Sequence, residues 1–571
     1  MAADGPCFDL PEECWDLIFR HLNRGWDLES LSLVCKRFYT LSNALLIRLS
    51  VTGPISSGTF SKLLCRFPNL VSLNLSKCKG DLRPLFSEIE RFASLINLKE
   101  LDISRHQIEF DLSNYSGLVF KNLKVLKCRR VPVMGDSHLF AIACSFPCLE
   151  ELDISDPNMV FRSERQTASQ HIVTDKGIEA LSSSLLNLRK ISISGNHFIT
   201  DSSIASLVDR LNLESIEILD CPLITANAIL SMMRKSISLC SVSASCIVFP
   251  RTHSLVYQSY CRTLHVIDLG SSIVPDAFLC SLAHLPLVRL SLVNCTTFTL
   301  QGLSFLVRAS PLLQYFALGD SDLLTDKDME ILSVYLHSLV TIKLNSCSGL
   351  TISTISALVR NCHLLEEIHM ENAGLGRNDI TLHCSKSSSL KTLKLGWNDD
   401  ITNECLLKIA CICPKLEELD VSACAGISEE GIANALHICP DIKSLGIDFC
   451  SGIQSIGYGC ELPKLEVLSA AYSAVSNKGL QMVGIRCSGL QKLVLQGCLE
   501  VTSSGVEDLG KTCRRLREID LGRCDYVDVR AVERIILSCQ TLRRVTSPSD
   551  LSEKLKRIFL QHGCLIRDLL L

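Results

Sequence analysis

Long apolar runs are missing from this chain of 571 residues. None approaches the roughly 18–20 residues that cross a bilayer, so a membrane-spanning protein is not expected. A basic excess is missing too: 57 Lys and Arg stand against 61 Asp and Glu, a formal net charge of −4. That near-balance argues against nucleic acid or a membrane surface as partner, since both call for a basic stripe. The opening residues, MAADGPCFDLPEECWDL, hold neither the apolar core of a secretory signal nor an Arg-rich transit stretch. The expectation is a nuclear and/or cytoplasmic protein in a reducing compartment, where stable disulfides do not persist. The sequons at Asn74, Asn114 and Asn294 then carry no meaning. Catalytic signatures are also lacking. There is no P-loop, no HExxH and no GxSxG, and GIQSIGYGC (452–460) does not fit GxGxxG. No enzyme and no cofactor is expected.

Cysteine, by contrast, is abundant: 30 residues. The stretch CPKLEELDVSACAGISEEGI (413–432) shows where they fall. An anchor, Leu416, is followed by Leu419, Val421 and Cys424 in the pattern LxxLxLxxC, and the pattern recurs at Ile442, Leu490, Leu516, Leu339 and Leu287. Nineteen anchors run from Leu70 to Leu542, with most steps 25 or 26 residues, two of 23, one of 28 and one of 39. The long step marks an insertion around 155–175.

The LxL alternation makes a short strand with one apolar face. In SEEGIANALHIC (428–439), Ile432, Leu436 and Cys439 recur at helical spacing, and Ser428 is a candidate N-cap followed by two glutamates. One strand and one helix cannot bury their apolar faces alone, so the units must stack. Strands stack about 4.8 Å apart and helices about 8–10 Å apart, a mismatch that curves the array with its parallel sheet inside. Nineteen strands at that spacing give an inner arc of roughly 90 Å, a surface suited to a large partner.

Eight cysteines (78, 221, 295, 347, 424, 450, 498, 524) close the pattern, and seven (261, 362, 413, 439, 487, 513, 539) stand three residues before an anchor. A free cysteine acts as a small buried hydrophobe, suited to the bend after each strand. A metal reading requires close Cys/His pairs such as CxxC, and no matched set of them is present, so no metal is expected. Over about residues 60–547 the unit resembles the cysteine-containing subclass of leucine-rich repeats. That resemblance implies an α/β solenoid, a horseshoe of about 19 repeats across 49–547 with its parallel sheet concave, and a C-terminal cap of one helix over 548–571.

Residues 10–48 break the period. Pro11 suits a first helical position beside Glu12 and Glu13. Leu17, Ile18 and Leu22 recur at helical spacing, with a break at Asn23–Gly25. Leu28, Leu31, Leu33 and Val34 then suggest a second helix, and Phe38, Leu41, Leu45 and Leu46 a third. About forty residues cannot bury all these apolar groups alone. Leu10, Pro11, Ile18, Leu22 and SLVCKRF (32–38) resemble an F-box, assigned to 8–48. The resemblance implies docking to the Skp adaptor and, through it, cullin, with Leu10, Pro11, Ile18, Leu22, Leu31, Val34, Cys35 and Phe38 at that interface. It also implies that the repeat domain recruits a protein substrate for ubiquitination and degradation.

Positions two, four and six after an anchor point to the concave side. Candidate substrate contacts there are Glu367, His369, Glu371, Glu418, Asp420 and Asp448, joined by Trp397, Phe449, Tyr472 and Arg523 at position seven. Aromatic and Arg side chains anchor protein partners, and the acidic floor suggests a basic degron. Two other readings stand beside this one. Plant F-box proteins of similar layout bind hormones or an inositol phosphate, although the concave positions read here hold Lys394 but little else basic. A scaffold outside ubiquitin transfer would use the same surfaces.

Overall fold

The structure, a computed structural model, describes residues 12–21, 31–92, 96–106, 122–132, 134–157, 172–251, 262–321, 324–377, 386–387, 389–457, 459 and 461–567. The chain falls into two compact units, residues 1–248 with 254–266, and residues 249–253 with 267–571.

In both units each anchor is followed two residues later by a short strand, from Ser72–Lys79 behind Leu70 to Arg544–Thr546 behind Leu542. Successive strands within a unit pair in parallel at constant register, as in Glu367↔Thr392, Thr392↔Glu418 and Glu418↔Ser444. In the strands of four successive repeats the central residue is buried (Ile368, Leu393, Leu419, Leu445) and its two neighbours are half-buried. Because strand side chains alternate between faces, positions two and four line the face turned away from the core. Two strands lie beyond the anchor pattern: Arg48–Pro54 pairs with Ser72–Lys79, and Leu565–Arg567 pairs with Arg544–Thr546. Leu46, Leu49 and Val51 obey the spacing but look like the end of a helical segment. Gly563 stands where the last anchor would be. The tail is therefore not only the expected capping helix, Glu553–Gln561, but that helix plus one more strand.

Three hydrogen-bond ladders tie repeat to repeat. The first lies at the helix starts. Asp175 opens one helix and accepts the Thr200 backbone N–H and hydroxyl of the next repeat at 2.8 and 2.7 Å. Asp326 accepts those of Thr351 at 2.9 and 2.7 Å. A carboxylate at that end also opposes the helix dipole. Ser428 does hold the N-cap position of Glu429–Ile438, but its hydroxyl makes no bond to its own helix. It accepts from Asn403 Nδ2 at 2.8 Å instead, while the Ser428 N–H donates to Asn403 Oδ1 at 3.0 Å. An amide in place of the usual Asp supplies a donor that reverses the hydroxyl's role.

The second ladder is at position seven. In every repeat from the one anchored at Leu98 to the one at Leu516 this residue has positive φ, for instance Trp397 at 63°, Phe449 at 59°, Tyr472 at 53° and Arg523 at 58°. Each non-glycine residue there costs about 1–2 kcal/mol of local strain. The geometry turns its N–H onto the next repeat: Trp397 donates to the Ser422 carbonyl at 2.8 Å, Phe449 to Ala471 at 2.8 Å and Tyr472 to Gln496 at 2.7 Å.

The third ladder uses position eight, the cysteine position. Its side chain reaches the position-five carbonyl of the preceding repeat: Cys347 Sγ donates to Leu318 O at 2.9 Å, Cys498 to Ala470 O at 2.9 Å and Cys524 to Leu495 O at 3.0 Å. In some repeats without the cysteine another polar group takes over, as Asn398 Nδ2 on Met370 O at 2.8 Å and His106 Nε2 at 2.7 Å from Leu75 O. These cysteines are hydrogen-bond donors as well as packing residues. The 26 described cysteines are all free. Burial pushes the thiols of Cys424 and Cys524 up to about 12, so they keep the proton they donate.

At the N-terminal end, the helices Glu12–Arg20 and Lys36–Leu45 enclose an aromatic cluster. Phe38 lies 4.9 Å from Trp15 and 5.1 Å from Phe19, centroid to centroid. The break at Asn23–Gly25 and most of the expected second helix fall outside the described residues; of that stretch, Leu31 and Ser32 are helical and Leu33 and Val34 form a turn. Cys35 caps the next helix, its sulfur accepting the Phe38 N–H at 3.4 Å. That helix docks on the first repeat. Arg66 Nε donates to Asn43 Oδ1 at 3.0 Å, with its guanidinium 4.8 Å from the Tyr39 ring centroid.

Candidate protein-binding surfaces

The N-terminal helices bury Trp15 and Phe19 and leave Leu17, Ile18, Leu33 and Val34 exposed, the last two at 78% and 65%. Of the residues that the F-box resemblance assigns to an adaptor, Ile18, Val34 and Cys35 are exposed, and Leu31 and Phe38 are half-buried, Phe38 within the aromatic cluster. Leu10, Pro11 and Leu22 lie outside the described residues. So do residues 158–171 of the insertion; at its edge Asp156 pairs with Arg129 at 3.0 Å.

In the second unit, the floor residues of the open sheet face are largely engaged with one another. Lys394 pairs with Glu418 at 3.1 Å. Partial burial works against its charge, but Glu418, Asp420 and Glu371 outweigh that and raise its pKa. His369 lies 3.8 Å from Glu367; burial first, then Lys343 and Lys394, lower its pKa, so the ring is neutral at pH 7. Asp420 accepts the Ser422 N–H at 2.9 Å, and one Asp448 oxygen accepts both Ser469 Oγ and the Ala471 N–H at 2.7 Å. Glu371 accepts from Asn345 Nδ2 at 2.7 Å. These carboxylates shape the turns between strand and rim.

The rim is different. Position seven of successive repeats brings Trp397, Phe449 and Tyr472 together: the first two centroids are 5.8 Å apart, the second pair 5.1 Å apart and stacked within 6°. The three residues are 59%, 50% and 37% exposed. Ala423 occupies the same position between Trp397 and Phe449, and Gly497 follows Tyr472. Arg523 Nη1 reaches past Gly497 to donate to Tyr472 Oη at 3.3 Å. All four rim residues expected from the sequence thus form one continuous strip.

One cluster escaped the reading of positions from Leu365 onward. Arg289 lies 3.5 Å from the centroid of Tyr315, and Lys343 lies 5.8 Å from it. Positions two and four of the earlier repeats carry these residues, so the same counting rule reaches them. Among the described residues no group of three or more His, Cys, Asp or Glu is arranged to hold a metal ion, and no helix is long and apolar enough to cross a membrane.

An F-box-like family model matches residues 7–49 and a leucine-rich-repeat model matches residues 386–410. The chain thus carries an F-box-like segment and a leucine-rich-repeat segment. Such a pairing supports an SCF-type substrate receptor in general. Among solved structures the chain is similar to one in the crystal structure of the Rad7 and Elc1 complex in yeast, at 16% identity over 81% of this chain and 98% of that one, TM-score 0.44. It is also similar to a chain of the TLR13–ssRNA13 complex, at 16% identity over 85% and 79%, TM-score 0.46. An internalin from Listeria monocytogenes matches at 17% identity over 65% and 86%, TM-score 0.35.

Proposed function

We propose that this chain is the substrate-recognition subunit of an SCF-type ubiquitin ligase, working in the nucleus and/or cytoplasm and doing no chemistry itself. The carrying observation is the F-box-like match over residues 7–49, joined to a helical domain that exposes Leu17, Ile18, Leu33 and Val34 around a buried aromatic cluster. Apolar side chains presented in this way require a partner. The Skp adaptor contacts Leu10, Pro11, Ile18, Leu22, Leu31, Val34 and Cys35, with Phe38 at the edge of the contact. The open face and rim of the second unit hold the substrate through Glu367, His369, Glu371, Trp397, Glu418, Asp420, Asp448, Phe449, Tyr472 and Arg523. Ubiquitin transfer then gains from proximity, because a tethered substrate lysine meets the conjugating enzyme at high effective concentration.

The test is co-purification with the Skp adaptor and cullin. The wild-type chain is expected to bring both down, and Leu10→Ala with Pro11→Ala, or Leu33→Asp with Val34→Asp, to lose them. Failure of the wild-type chain to recover the adaptor rejects the ligase reading. Full recovery by both double variants rejects the assigned surface.

A further inference from the structure

The rim strip of the second unit differs from the floor beside it. The floor carboxylates are already paired or hydrogen-bonded, whereas Trp397, Phe449 and Tyr472 leave much of their surface exposed on left-handed residues whose N–H groups are bonded to the next repeat. Two or three residues further along the rim, Leu499 and Tyr526 are exposed as well. Charge on the same rim is one-sided. Asp399, Glu500 and Asp525 are exposed at positions nine and ten, where Asp400 is already paired with Arg377 at 2.6 Å, against Arg523 at position seven, whose guanidinium is turned to Tyr472. Apolar surface bordered by carboxylates is complementary to apolar side chains interspersed with cations. The repeats anchored at Leu390 and Leu516 are five steps apart, about 24 Å at the usual strand spacing, which an extended chain covers in roughly seven residues.

We propose that this rim docks an extended protein segment in which apolar side chains alternate with lysine or arginine. The proposal deepens the receptor reading and rests on it: the segment is the part of the substrate that the repeat domain grips. Ring edges and faces take the apolar side chains, and the rim carboxylates take the cations.

The test needs the purified full chain and no ubiquitin machinery. Trp397 is exposed within the strip, Trp15 is buried and Trp26 lies outside the described residues, so peptide binding is read from tryptophan emission and assigned by comparison with Trp397→Phe, which removes the signal, with calorimetry confirming the constants. Three synthetic ten-residue peptides are the probes: alternating Leu/Arg, alternating Leu/Glu and alternating Ser/Arg. The Leu/Arg peptide is expected to bind, and the other two at least tenfold more weakly. Phe449→Ala and Tyr472→Ala are each expected to weaken the Leu/Arg peptide about tenfold, as truncation of an interface anchor does, with thermal melts confirming folded protein. Asp399→Asn with Asp525→Asn, a change outside the rings, is expected to narrow the gap between Leu/Arg and Leu/Glu. Equal binding of the acidic peptide overturns the charge assignment. Unchanged binding in both ring variants, or no binding of any peptide, overturns the site. Either failure leaves adaptor co-purification standing, and loss of adaptor recovery with peptide binding intact rejects the receptor reading alone.

Discussion

The ring of Tyr472 lies where a side chain on residue 497 would stand: a Cβ built on Gly497 collides with the ring edge. Gly497 also has φ of 72°. Gly497→Ala therefore meets two penalties, left-handed strain of about 1–2 kcal/mol and displacement of Tyr472 from Arg523. The expected outcome is a lower urea midpoint together with weaker binding of the Leu/Arg peptide. Ala423→Gly, which relieves the left-handed strain at the equivalent position and leaves Tyr472 in place, is expected to weaken neither. Gly497→Ala matching wild type in both measurements would remove the ring contact from the account of the strip.

The Cys347 thiol donates to the Leu318 carbonyl within a fully buried turn. Cys347→Val keeps the apolar volume and discards the donor, leaving a buried carbonyl short of a partner at a cost of about 1–3 kcal/mol. Cys347→Ser keeps a donor but shortens its reach: Ser473, at the same position, bonds the Ala470 carbonyl of its own repeat at 2.7 Å. Urea unfolding should rank wild type first, then Ser, then Val. A valine variant as stable as wild type would return the cysteines to packing alone.

His369 gives the open face a pH dependence. Its folded pKa is lowered from 6.5, by burial and then by Lys343 and Lys394. Below about 6.5 the unfolded chain therefore takes up a proton before the folded one does, and stability falls as pH drops toward the lowered folded value. The stability advantage of wild type over His369→Gln should be larger at pH 7.5 than at pH 5.5 in paired urea titrations. A difference independent of pH would mean that neither burial nor the lysines shifts the ring.

Much of this architecture was legible from spacing alone. Leu416, Leu419 and Val421 mark a strand because burial on one side imposes their period, and the strand Glu418–Asp420 stands where that period puts it. Position counting likewise brought Trp397, Phe449, Tyr472 and Arg523 to one rim. What spacing does not carry is the direction of hydrogen bonds. Nothing in the letter C distinguishes a thiol that fills space from one that donates to a carbonyl 29 residues earlier, as Cys347 does. Nor could Ser428 be seen to turn away from its own helix, since that depends on Asn403, the residue 25 positions before it. The first strand was hidden because Leu46, Leu49 and Val51 follow a helix without a break in hydrophobicity, and the last because a glycine, Gly563, replaces its anchor.

The left-handed residue at position seven has a consequence for how such a protein changes. Its backbone accommodates tryptophan, alanine, phenylalanine, tyrosine, glycine and arginine in six successive repeats (Trp397, Ala423, Phe449, Tyr472, Gly497 and Arg523) with φ between 53° and 72° throughout. The turn is held by main-chain atoms, so the side chain is not what keeps it. New recognition chemistry can therefore be written at this column one residue at a time while the scaffold beneath keeps its shape.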